Sequence, residues 1–149
     1  MKVSFVFGVK DKLISACHIV HKNFMTNKII LIICDDNNIS KLDKLLWTFN
    51  DVSFIPHNIL EYEKPNKTPV ILAKQSILSV EYIDKEFSDK ISLVINLSNN
   101  YTPNCDKINH VIEIVSEDEK DRLEARNRWR FYKQIGYQVA GIPSKISIA

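Results

Sequence analysis

The stretch KIILIIC at 28–34 is apolar at every position after its lysine. Successive side chains of a β-strand point to opposite faces, so such a run is stable in water only where both faces are covered. It is far shorter than the roughly 20 apolar residues a membrane-spanning helix needs. VILA (70–73) and ISLVINL (91–97) have the same character. Three buried strands separated by longer polar segments point to a mainly parallel sheet between two layers of helix.

The remaining elements fit that frame. KVSFVF (2–7) is a short β-rich run, and residues 12–26 place Leu13, Ala16, Cys17, Val20 and Phe24 at helical spacing before the strand at 28–34. This is a βαβ opening. Asn38 is positioned to cap a second helix running to about Phe49, after which SFI (53–55) predicts a short strand stopped by Pro56. Residues 58–68 and 98–109 read as loops, 74–88 as a helix, and HVIEIVS (110–116) as the last strand. A helix is predicted over 117–135, with Ser116 and Glu119 at capping-box spacing, acidic residues in its first turn, basic ones at its end and Gly136 at the stop. A short tail follows. The expected architecture is one domain over 1–149, a three-layer α/β/α fold with a twisted, mainly parallel sheet, Rossmann-like without a nucleotide-binding loop.

A chain of 149 residues with 45% hydrophobic side chains can bury a core without a metal or disulfide. Cys17, Cys34 and Cys105 lack CxxC spacing and read as reduced thiols of a cytoplasmic protein. The opening MKVSFVFGVKDK has an apolar run too brief for a secretory signal or a membrane span. The turn after the first strand, GVKDK, has one glycine where phosphate-cradling loops need several, which argues against a nucleotide and leaves no cofactor implied. Asp35 and Asp36 follow the second strand and suggest a metal-dependent phosphoryl-transfer site as an alternative, but Asp-Asp-Asn-Asn is also a turn leading into a helix. His18 and His21 lack a third metal ligand nearby, and no nucleophile motif accompanies His57. The sequence therefore points away from an enzyme.

Two surfaces stand out instead. At about 100° per residue, Ile39, Leu42, Leu45, Leu46 and Phe49 share one helix face, while Trp47 falls about 80° outside it. With Phe54, Pro56 and His57 close behind, an off-stripe tryptophan has the character of an interface anchor. On the last helix, Arg122, Arg126, Trp129 and Lys133 share an arc of roughly 60°, with Ala125, Phe131, Tyr132 and Ile135 on the other side and Arg128 among the apolar positions. Cations beside an indole suit an anionic chain that ends in something apolar. They also suit single-stranded nucleic acid, although a formal charge of +2 gives little footprint for phosphates.

CDDNNISKLDKLLWTFNDVSFIPHN (34–58) and RLEARNRWRFYKQIGY (122–137) resemble the chi subunit of bacterial DNA polymerase III holoenzyme. The resemblance is carried by about half the chain. It implies a single α/β domain without catalytic activity that binds the psi subunit, and through it the clamp loader. It also implies binding to the acidic, phenylalanine-ending C-terminal tail of single-stranded DNA-binding protein. On that reading Trp47, Phe54, Pro56 and His57 match the family's block for psi, and Val115, Arg122, Arg126 and Trp129 match its tail pocket, with Lys133 adding positive field. Arg122 stands where lysine is expected and Trp129 where tyrosine is expected; both swaps keep the charge or the ring.

Overall fold

The computed structural model describes residues 2–23, 29–48, 55–59, 69–74, 91–100, 102 and 108–144. In chain order these form β1 (Lys2–Val9), α1 (Lys12–Asn23), β2 (Ile29–Cys34), α2 (Ile39–Thr48), β3 (His57–Ile59), β4 (Val70–Lys74), β5 (Ile91–Asn96), β6 (His110–Ser116), α3 (Glu119–Gln134) and β7 (Gln138–Pro143). The seven strands make one sheet in the order β3-β4-β2-β5-β6-β1-β7. Every pairing is parallel.

Alternating side chains of the buried strands divide between two cores, as the apolar runs require. Ile30, Ile32, Val70, Leu72 and Ile95 pack with α1 and α2 on one face. Leu31, Ile33, Ile71, Val94 and Val111 lie on the other, with Ala125 and Tyr132 of α3. The chain runs one way along the sheet from β1 through β2 to β3, and the opposite way from β5 through β6 to β7. Because parallel crossovers are right-handed, reversing direction moves the connecting helix to the other face. That reversal puts α3 on a different side from α1 and α2.

Two elements differ from the sequence expectation. Of the strand expected over 53–55, residues 53 and 54 lie outside the described residues and Ile55 is in no strand; a short strand instead follows Pro56 at His57–Ile59, running into the segment 58–68 where a loop is expected. Proline has no N–H for a ladder, and here it precedes a strand that, among the described residues, lies at the sheet edge and pairs with β4 alone. The tail after α3 forms a seventh strand, β7, beside β1. Its sequence, QVAGIP, contains glycine and proline and is largely exposed on both faces, so neither composition nor alternation signals it. The helix expected over 74–88 lies outside the described residues except for Lys74, which ends β4.

Both ends of α3 are tied by side-chain and backbone chemistry. Its N-cap is Asp118, whose carboxylate accepts the Asp121 N–H at 3.2 Å, in place of the expected Ser116–Glu119 pair. Ser116 serves differently: its N–H and hydroxyl donate to the Asp121 carboxylate at 2.8 and 3.0 Å. At the far end Gly136 adopts φ +95°, with Gly136 N–H donating to Lys133 O and Tyr137 N–H to Tyr132 O, both at 3.1 Å. This is a Schellman stop, and the left-handed residue explains the glycine.

Cys17 and Cys34 are free, buried thiols. Burial, reinforced by Asp11 for Cys17 and by Asp35 and Asp36 for Cys34, pushes both up to about 12. Cys105 lies outside the described residues.

Candidate functional site

The helix α3 has two working flanks. One turns toward the middle of the sheet, where Glu113 of β6 is completely buried. Arg128 Nε donates to Glu113 Oε1 at 3.0 Å, Tyr132 OH donates to Oε2 at 2.7 Å, and Asn96 Nδ2 donates to both oxygens at 3.0 and 2.8 Å. Arg128 Nη1 also donates to Asn99 O at 3.2 Å. Burial pushes the Glu113 carboxyl above its ordinary value, opposed by Arg128 and by the hydrogen bonds from Asn96 and Tyr132. This accounts for an arginine among apolar positions: Arg128 is 3% exposed and neutralises a carboxylate in the core. Ile135, expected on the buried side, is 47% exposed, because α3 ends at Gln134 and the chain turns there.

The other flank faces the edge of the sheet. Arg122, Ala125, Arg126 and Trp129 of α3, Val115 of β6, and Phe5 and Phe7 of β1 line a cleft of about 210 Å³. Trp129 leans on Phe5, with ring centroids 5.1 Å apart at 47°. Lys133 lies outside the cleft and places Nζ 5.7 Å from the centroid of the Trp129 ring. The cleft thus has an aromatic and aliphatic interior, with two exposed guanidinium groups among its lining residues. Phe5 and Phe7 are the residues that helix arithmetic misses. Their two-residue spacing on a strand, which puts both on one face, is the signal that finds them.

At the opposite side of the sheet, Ile39, Leu42 and Leu46 of α2 are buried, whereas Trp47 is 47% exposed. Its ring lies 4.3 Å, centroid to centroid, from that of His57. His57 itself is buried, its Nδ1 2.8 Å from Ile55 O and its Nε2 2.9 Å from an Asp43 carboxylate oxygen. Two fixed hydrogen bonds hold this imidazole as a platform beneath the indole. Pro56 is half-buried beside it, and Phe54 lies outside the described residues.

A second cleft, of about 350 Å³, opens at the carboxyl ends of β1, β2, β5 and β6, where many α/β proteins bind ligands. Here the first amides of α1 are occupied from within: the Asp11 carboxylate accepts the N–H groups of Leu13 and Ile14 at 3.0 and 3.2 Å. Asp35 lines the cleft, and its carbonyl accepts the Asn38 N–H at 2.9 Å in the turn that leads to α2. Among the described residues no three His, Cys, Asp or Glu side chains gather as a metal would require. No helix among the described residues is long and apolar enough to cross a membrane.

A family model described as DNA polymerase III chi subunit, HolC, matches residues 1–140. The chain belongs to that family. A chi subunit from Pseudomonas aeruginosa is 28% identical over 123 residues, covering 82% of this chain and 79% of that protein. The Escherichia coli chi subunit is 24% identical over 124 residues, covering 83% and 79% respectively. Membership places this chi-family protein among the accessory subunits of a replicative DNA polymerase. Among solved structures, the C-terminal domain of S. cerevisiae Dbp5 bound to Gle1 and IP6 is similar with TM-score 0.63 and 11% identity, covering 97% of this chain and 90% of that one. At that identity the likeness concerns the fold alone.

Proposed function

We propose that this chi-family protein is a non-catalytic bridge within the polymerase III holoenzyme, joining the psi subunit on one side to the C-terminal tail of single-stranded DNA-binding protein on the other. The observation that carries the reading is the cleft between α3 and β1. Arg122 and Arg126 flank an interior of Phe5, Phe7, Val115 and Trp129. An acidic tail that ends in phenylalanine has matching chemistry, a carboxylate for a guanidinium and a ring for an aromatic slot. Arg126 pairs with the terminal carboxylate or an adjacent aspartate, Arg122 and Lys133 add positive field, and Trp129 with Val115 walls the place of the terminal ring. The contact is weak alone and sensitive to salt, and multiple tails on a coated template raise its effective concentration.

The psi subunit takes the α2 side. There Trp47 offers exposed ring area, and His57 acts from beneath by fixing the indole. Phe54 and Pro56 complete the block. Binding of psi connects the protein indirectly to the clamp loader. Arg126→Ala tests the division of labour: tail binding falls at least tenfold while psi binding is unchanged. Equal loss of both refutes two separate surfaces.

A further inference from the structure

Gly141 sits in the middle of β7, where its backbone does not need a glycine, since its φ lies outside the left-handed region. Glycine within a strand costs backbone entropy and forgoes packing, and commonly marks a close approach by another group. The approaching group is identifiable. Gly141 pairs with Phe5 in the β1–β7 register, so a side chain there points to the face that carries the cleft. A Cβ at 141 stands 3.4 Å from Phe7 Cε1, 3.6 Å from Trp129 Cζ3 and 3.7 Å from Trp129 Cη2. The two tryptophan atoms belong to the six-membered ring of the indole, the part that exceeds a phenol in width. One methyl fits at ordinary contact distance, which leaves no slack toward Phe7 and Trp129 for the carbons of a larger side chain, and both residues line the cleft.

We infer that Gly141 is a specificity-determining residue of the cleft: its bare backbone lets the Trp129 indole lie over β7, and so keeps the slot wide enough for an aromatic terminal side chain. The inference rests on the peptide-binding reading of this cleft. It adds a residue from a different element, which no stripe on α3 reveals. It also separates binding from stability, because a β-branched residue suits a strand better than glycine does.

The test uses the full chain and two synthetic acidic peptides identical except for a terminal phenylalanine or alanine. Wild type prefers the phenylalanine peptide. Gly141→Ala binds it within about twofold of wild type, since a methyl is accommodated. Gly141→Val weakens it at least tenfold, removes the preference over the alanine peptide, and melts at the same temperature as wild type or higher. Wild-type affinity and preference in the valine variant overturn the inference. So does failure of the bound phenylalanine peptide to shift the Gly141 Hα resonance of wild-type protein, a measurement that needs no variant. If wild type binds neither peptide, the peptide-binding reading falls first, and the inference with it.

Discussion

Arg128→Ala is expected to cost this protein more stability than truncation at any exposed position of α3. The Glu113 carboxylate is wholly buried and Arg128 is 3% exposed, with Nε–Oε1 at 3.0 Å. Removing the guanidinium leaves Glu113 with only Asn96 and Tyr132 as donors and no countercharge in the described network. Breaking a buried pair from one side costs about 3–5 kcal/mol, because the remaining charge stays desolvated. For a chain of this size each kcal/mol lowers the melting point by about 2–4 °C, giving a fall of about 6–20 °C. Thermal melts followed by circular dichroism, with urea titration as a second measure, read the change. The double variant Glu113→Gln, Arg128→Met removes both charges and recovers much of the loss. A fall below about 1 kcal/mol for Arg128→Ala, or a double variant no better than the single one, refutes the argument that charge pairing, rather than packing volume, fixes α3 at this position.

Other outcomes follow from the same geometry. Trp47→Ala leaves the melting point nearly unchanged, within about 1 kcal/mol as for exposed positions generally, while psi binding in a pull-down or calorimetric titration falls at least tenfold; a folding defect of several kcal/mol contradicts the exposed placement. Asp121 supplies a pH dependence. Burial works to raise its carboxyl, but the hydrogen bonds from Ser116 and the Lys12 ammonium at 3.1 Å outweigh that and hold it below its ordinary 3.8. A depressed carboxylate stabilises the fold fully above its unfolded value and loses that contribution as pH falls through its folded value. The stability gap between wild type and Asp121→Asn therefore stays constant above about pH 5 and closes below pH 3.8; a gap independent of pH excludes the ionised form as its source.

The sequence reveals those parts of the molecule that repeat a local rule. KIILIIC, VILA and ISLVINL announce strands buried on two faces, and β2, β4 and β5 lie at those positions in the middle of the sheet. The stripe of Arg122, Arg126 and Trp129 is readable because a helix repeats every 3.6 residues, and the three residues do share one cleft. Long-range geometry is what the sequence withholds. Phe5 and Phe7 reach the cleft only because β1 lies between β6 and β7. Arg128 looks misplaced until Glu113, fifteen positions earlier, is found beneath it. Strand β7 is stabilised by its pairing with β1 and not by its own composition, so it is invisible before the sheet order is known. Likewise the sequence sets His57 beside Trp47 as a contact residue, yet His57 is buried, with Asp43 on α2 and the Ile55 carbonyl holding it as a support for Trp47.

The most direct measurement is a titration of the purified protein with a labelled peptide of the acidic C-terminal tail of single-stranded DNA-binding protein, beside a version lacking the terminal phenylalanine. It is run at about 0.01 M and about 0.15 M salt, where the screening length falls from about 30 Å to about 8 Å. The bridge account predicts binding that requires the phenylalanine, weakens at the higher salt and is lost in Arg126→Ala. If neither peptide binds but a single-stranded oligonucleotide does, the basic-aromatic flank of α3 is a nucleic-acid surface, and the account of it as a tail pocket is wrong.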